Sequence, residues 1–360
     1  MDFRRATRGW LLLACTILPL LACASEDDGL VGVGGNTGQT PTPTPTAGGD
    51  DPLPAATFKP LPTPTPTPLP SGFDNSGTRP GAAAAYRPRA IGIDPTGSIY
   101  LASDPNSGPP YRLTVMDAFT TVKATASLGV LPERFAFVNG AYYFVGGNKL
   151  VTMTTGHAVA STETITDGDP YYLGLASSRT GKWALAYGPT VRVTHQDEAG
   201  TPVETFTFPG GLRPRRIAFD YYAGVWGIAD TTLAKFERGA QPKSFSVAGV
   251  GDLMDLAVDR GSTADRFWVL GTTGIAKYNR NGDRLAGPFS ASGSRIFLDA
   301  MGRPIVVSDA DGKITRYKVD GTPETPISLN GGFEGAAMDI QGDLWVSSRT
   351  LDKIAHTRFE

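Results

Sequence analysis

The chain has 360 residues, a formal charge of −2, 40% hydrophobic residues and only two cysteines. That balance excludes a general nucleic-acid binder, which would be strongly basic, and it excludes a disulfide-stapled scaffold. No run beyond the first residues approaches the roughly 18 apolar positions of a membrane-spanning helix.

The chain opens on a leader, residues 1–22. Arg4, Arg5 and Arg8 make a positive start, and Gly9 to Leu21 follows as an apolar run. The run is of signal-peptide length and too short to cross a bilayer. Leu20-Leu21-Ala22-Cys23 then resembles the lipobox of bacterial lipoproteins, Leu-x-small-Cys. The resemblance implies diacylglycerol on the Cys23 sulfur, cleavage before it, and attachment to the membrane through that lipid. Leu12-Leu13-Ala14-Cys15 fits the short pattern as well, but with too little apolar sequence before it. Ala24, not Asp, follows Cys23. Under the lipoprotein retention rule this implies the outer membrane of the cell envelope, not the inner. Loss of a leader carrying three arginines and one aspartate leaves the mature chain near −4. Cys15 goes with the leader and Cys23 is lipidated, so no thiol remains for metal or nucleophilic chemistry.

Residues 23–78 read as a tether without secondary structure. PTPTPT at 41–46 and LPTPTPTPLP at 61–70 fix φ at every proline and remove its N–H. Such Pro-Thr alternation favours extended polyproline II. About 55 residues of this kind span on the order of 100 Å.

Residues 79–360 repeat. RAIGIDPTGSIYLAS at 89–103, RIAFDYYAGVWGIAD at 216–230 and GAAMDIQGDLWVSS at 335–348 are three of seven similar units. Each has a short alternating run, a turn and a second run with a bulky centre. A third run follows, and in most units a fourth. Asp94, Val138, Ser178, Asp220, Asp259, Asp299 and Asp339 mark equivalent positions at intervals of 44, 40, 42, 39, 40 and 40. A period near 40 with four strands per unit predicts an all-β, seven-bladed β-propeller of four-stranded antiparallel blades. Asp-x-x-Gly at Asp94, Asp299 and Asp339 suits a turn in which Asp bonds its own backbone. Small residues two before the marker (Gly92, Ala136, Ala218, Ala257 and Ala337) suit innermost strands crowded round an axis, with Phe297 breaking the pattern. Tyr100, Tyr143, Trp183, Trp226, Trp268 and Trp345 are expected to pack between blades. Unit seven ends after its third run. A strand from Asn75 to Tyr86 is therefore expected to complete the last blade and hide its edge.

IGIDPTGSIYL at 91–101 and AAMDIQGDLWV at 336–346 resemble NHL-type repeats, of the wider group that includes streptogramin-lyase-like and gluconolactonase-like propellers. Seven units depart from the commoner six. The resemblance bears on architecture, because its matching residues are scaffold positions.

No catalytic set emerges. His195 and His356 lie on third runs and His157 in the turn after one, away from the axis. The related lactonases hold a metal with Glu, Asn and Asp. Glu133 and Glu334 precede strands here, and Asn139 sits in a turn. Asp309-Ala310-Asp311-Gly312 lacks the remaining ligands of a calcium loop and reads as a hairpin turn. No metal, cofactor or catalytic residue is therefore predicted. Arg89, Arg134, Arg215, Arg216 and Arg295 stand at or just before first runs, with Arg87 and Arg213 nearby. In a ring this position recurs at one end of the axis. Guanidinium there suits carboxylate or phosphate, and an anionic group of a protein, a glycan or a small ligand is the expected partner. The competing expectation is ion pairing with Glu133, Asp252, Asp255 or Glu334. The chain is read as a monomeric, non-catalytic binding or scaffolding propeller. A hydrolase or lyase with a metal or anion site on the axis is the alternative.

Overall fold

A computed structural model describes residues 87–359 except for 105–108, 118–121, 139–140, 167–173, 179–181, 196–201, 221, 238, 260–265, 329–331, 340 and 349–352. Cys23, the tether and the expected closing strand at Asn75–Tyr86 lie outside the described residues.

The described chain is all β, in seven antiparallel sheets taken in sequence order. Blade one contains β1 (Pro88–Ile93), β2 (Ile99–Ser103), β3 (Tyr111–Met116) and β4 (Val122–Leu128). Blade two contains β5 (Arg134–Val138), β6 (Ala141–Gly146), β7 (Lys149–Thr154) and β8 (Val159–Thr164). Blade three contains β9 (Gly174–Ser177), β10 (Lys182–Tyr187), β11 (Thr190–His195) and β12 (Pro202–Thr207). Blade four contains β13 (Arg216–Phe219), β14 (Val225–Ala229), β15 (Thr232–Phe236) and β16 (Lys243–Ser246). Blade five contains β17 (Leu253–Val258), β18 (Arg266–Gly271), β19 (Gly274–Asn279) and β20 (Arg284–Ser290). Blade six contains β21 (Arg295–Leu298), β22 (Pro304–Ser308), β23 (Lys313–Arg316) and the short β24 (Ile327–Ser328). Blade seven shows β25 (Gly335–Met338), β26 (Asp343–Ser348) and β27 (Lys353–Arg358) among the described residues.

First strands pack side by side around the axis. β1 lies beside β5, β5 beside β9, β9 beside β13, β13 beside β17 and β17 beside β21, and β25 lies beside β1. Burial falls outward from the second strands. β2, β14 and β26 are buried at every residue, whereas β8 is exposed along its whole length. Second strands have a blade on each face, which explains near-continuous apolar runs such as VWGIA in β14.

The turn between first and second strands repeats in atomic detail. Asp94 Oδ1 accepts the N–H groups of Thr96 and Ser98 at 2.8 and 2.9 Å. Asp299 and Asp339 do the same with Met301 and Arg303, and with Gln341 and Asp343, at 2.9 Å each. Gly97, Gly302 and Gly342 take φ of 84°, 73° and 85° in these turns, where a Cβ is disfavoured. The second carboxylate oxygen reaches sideways. Trp226 and Trp345 donate Nε1–H to Asp220 and Asp339 Oδ2 at 3.1 and 3.0 Å, and Arg303 Nε donates to Asp299 Oδ2 at 2.6 Å. These aspartates are thus turn formers, and Asp220 and Asp339 also anchor the tryptophan of the second strand.

Blade three differs by one residue. Trp183 pairs with Ser177, and Ala184, which pairs with Ala176, occupies the place that Trp226 has opposite Ala218. Trp183 therefore faces the other side of its sheet, where its ring stacks on Tyr143 at 4.6 Å. Packing between blades still holds for it, by a different face.

Candidate functional site

One ring of positions organises the end of the axis opposite the aspartate turns. The residue four before each marker opens or nearly opens the first strand: Ala90, Arg134, Gly174, Arg216, Asp255, Arg295 and Gly335. The register makes them equivalent. They pair with Ala102, Val145, Ala186, Ile228, Leu270, Val307 and Ser347 on the second strands. Arginine thus stands on alternate blades two, four and six. Three arginines and one aspartate in seven positions leave a formal charge of +2.

These side chains meet across the axis. Arg134 is electrostatically coupled to Arg216, Arg295, Asp255 and Glu133, and Glu133 in turn to Arg89 and Arg216. Residues from five blades influence one another directly only where the first strands converge.

The partners differ from one arginine to the next. Arg216 Nε lies 3.5 Å from Asp255 Oδ1, and its Nη1 donates to the Arg215 carbonyl at 2.9 Å. Asp255 Oδ2 also accepts the Ile296 N–H at 2.9 Å, so this pair links blades four, five and six. Arg295 Nε donates to Asp309 Oδ2 at 3.2 Å, and its Nη2 to the Glu334 carbonyl at 2.7 Å. Arg89 Nε lies 3.3 Å from Glu334 Oε2, with Asp104 at 3.6 Å. That contact joins the last blade to the first. A bulge in β1 between Pro88 and Ala90 sets the Arg89 side chain out of the strand alternation. Arg215 reaches Asp230 at 4.0 Å and the Met254 sulfur at 3.8 Å.

Arg134 stands apart. Its Nη1 donates to the Glu133 carbonyl at 2.6 Å, and its Nε is buried without a hydrogen-bond partner among the described residues. Its ring neighbours, Ala90 and Gly174, bring no charge. Burial first, then the like charges of Arg216 and Arg295, press its pKa down to about 9. Burial likewise lowers Arg216 and raises the Asp255 carboxyl. Glu133, although partly exposed, is raised by burial of its carboxyl, with Arg134, Arg89 and Arg216 opposing.

The five predicted arginines therefore gather at one end of the axis, and the competing ion pairs form as well. Asp255 and Glu334 are the expected partners. Asp252 makes no side-chain ion pair among the described residues. Asp309 and Asp104 had not been foreseen. Both lie in connections from second to third strands, which reach the same face as the arginines, and that topology was the available signal. Asp309 and Asp311 are not a shared cation loop: Asp309 is spent on Arg295, and Asp311 Oδ2 accepts the Ser308 hydroxyl at 2.9 Å.

Two histidines sit where expected. The His356 ring stacks on Trp345 at 4.5 Å. His157, in a turn with φ 63°, stacks on Tyr142, and Tyr100 Oη lies 3.4 Å from its Nδ1. Neither belongs to the arginine ring.

No protein-family model matches the chain, and no curated protein matches its sequence. Solved structures match the fold. A streptogramin B lyase is 12% identical with a TM-score of 0.61, covering 77% of this chain and 95% of that one. A catalytically inactive virginiamycin B lyase from Staphylococcus aureus, solved with quinupristin, is 12% identical with a TM-score of 0.62, covering 77% and 96%. The Pan2 WD40 domain of Neurospora crassa is 11% identical with a TM-score of 0.59, covering 82% and 99%. At these identities the likeness shows the seven-bladed propeller fold alone.

Proposed function

We propose that the protein is a non-catalytic binding or scaffolding propeller of the NHL type, anchored in the cell envelope through lipid on Cys23 and carried away from the membrane by residues 23–78. The ligand is anionic and approaches the axis at the arginine end. One observation carries this reading: Arg134, Arg216 and Arg295 converge from alternate blades in a ring of net positive charge on a chain whose overall charge is −2. Desolvating guanidinium groups together is costly, and an anion offsets that cost. The lipobox-like Leu20 to Cys23 and the acidic, Pro/Thr-rich stretch after it support the anchor.

Two experiments test the proposal. Cys23→Ala should move the protein from the membrane fraction to the soluble fraction and abolish a diacylglycerol mass on the mature N-terminus. Replacing Arg134, Arg216 and Arg295 together should weaken binding of anionic ligands in a thermal-shift screen run with and without Ca²⁺. Unchanged binding would remove the anion site.

A second reading, a hydrolase or lyase, draws on Glu133 and Asp255, whose carboxyls are raised inside the arginine cluster. Raised carboxyls suit acid–base work. Turnover of a bound ligand, lost in Glu133→Gln, would establish it over simple binding.

A further inference from the structure

The five arginines are not equivalent, and their partners divide them. Arg216 ties blade four to Asp255 of blade five, which in turn holds the Ile296 N–H of blade six. Arg295 ties blade six to the Glu334 carbonyl of blade seven. Arg89 ties blade one to the Glu334 carboxylate and closes the ring. Each of these guanidinium groups meets a carboxylate of the protein itself. Among the described residues, Arg134 alone of the three ring arginines has no carboxylate partner, and its Nε has no acceptor there.

The geometry of that one side chain specifies a ligand. With Nη1 committed to the Glu133 carbonyl, the edge formed by Nε and Nη2 has no acceptor among the described residues. Two parallel N–H groups on one edge match two oxygens of a carboxylate. The Glu133 and Asp255 carboxyls already act on Arg134, so a monoanion adds less repulsion there than a phosphate dianion would. We propose that Arg134 is the seat of one ligand carboxylate, and that Arg89, Arg216 and Arg295 act mainly as ties between blades. This rests on the anion-binding reading above and narrows it from a rim to one residue. The carboxylate belongs either to a small organic acid or to the C-terminus of a peptide.

The test uses the full chain in detergent with ¹⁵N-labelled arginine, following the Nε–H resonances. The probes are acetate, inorganic phosphate, a short peptide with a free C-terminus and the same peptide amidated. One Nε resonance, absent in Arg134→Gln, should shift saturably with acetate and with the free peptide, and not with the amide. Phosphate should bind at least about tenfold more weakly than acetate. Arg134→Gln should weaken carboxylate binding by more than about tenfold with its melting temperature within about 2 °C of the parent, and Arg89→Gln by less than about threefold. Free peptide binding at least about tenfold tighter than acetate would assign the ligand to a peptide terminus, and equal binding to a small acid. Binding that survives in Arg134→Gln, or that falls equally in Arg89→Gln, would overturn the single seat and leave the rim standing. Tighter binding of phosphate would overturn the carboxylate. No saturable shift with any probe would overturn the seat and the anion site together.

Discussion

The two ends of the propeller axis use the same seven-fold repeat in opposite ways. At the turn end, aspartate recurs in five of the seven blades: Oδ1 of Asp94, Asp299 and Asp339 each caps two backbone N–H groups, and Oδ2 of Asp220 and Asp339 holds the second-strand tryptophan. At the other end, the equivalent ring positions run Ala, Arg, Gly, Arg, Asp, Arg, Gly, and each arginine has its own set of partners. Repetition there would place seven like charges round one axis, which electrostatics forbids in so confined a space. Variation is what allows a charged end to exist. It also leaves one residue, Arg134, outside the pattern of pairing.

Four tests probe that contrast. The largest effect belongs to the repeated end. Trp226 is fully buried, bonded to Asp220 and packed against Phe267 at 4.5 Å. Trp226→Ala should cost about 3–5 kcal/mol in urea unfolding. A loss below about 1 kcal/mol would mean that the Asp–Trp anchor is not part of the scaffold.

Next is the crowding of first strands. A Cβ on Gly92 would stand 2.5 Å from Phe135 Cγ of the following blade. Gly92→Ala should cost about 1–3 kcal/mol. Phe135→Leu in that background should recover part of the loss, because the clash is with the ring.

The charged end separates two arginines. Arg216→Gln strips the Asp255 carboxylate of its ionic partner and should cost about 1–3 kcal/mol. Arg134→Gln removes a charge that burial and its neighbours already disfavour, and should change stability by less than about 0.5 kcal/mol. Equal losses in the two variants would erase the distinction between tie and seat.

The smallest effect is in pH. Burial raises the Asp255 carboxyl above its unfolded value, which is near 3.9. Between those two values the folded chain retains a proton that the unfolded chain has released. This contribution to stability therefore increases as pH falls through the raised native value and is complete below the unfolded one. The difference in melting temperature between parent and Asp255→Asn, followed against pH, should show that slope. A difference with no pH dependence would contradict it.

Much of this was legible in the residues. The markers from Asp94 to Asp339 set the period and the number of blades, and Asp-x-x-Gly announced the turns. Arg134, Arg216 and Arg295 could be assigned to one end because each begins a first run. Other features were not legible. The aspartate–tryptophan bond links residues whose separation resembles ordinary core spacing. Trp183 resembles Trp226 in the sequence, yet the blade-three hairpin keeps the register of blade four and Trp183 stands one residue nearer the turn, on the opposite face, since side chains alternate along a strand. Asp309 resembles a fragment of a cation loop in the sequence, and only the fold sets Arg295 beside it.

What the sequence by itself determined is local and periodic: strand, turn, repeat, and the rank of each residue within its blade. These follow from alternation, turn chemistry and a near-constant interval, all of which act along the chain. What only the tertiary structure decided is which charges face one another across the axis. Arg134 and Arg295 are 161 positions apart in the chain, and their encounter depends on the closure of the ring. The pairing of Arg89 with Glu334, the link between Arg216 and Asp255, and the solitary edge of Arg134 all arise there, because Coulomb forces and hydrogen bonds act through space and take no account of sequence separation.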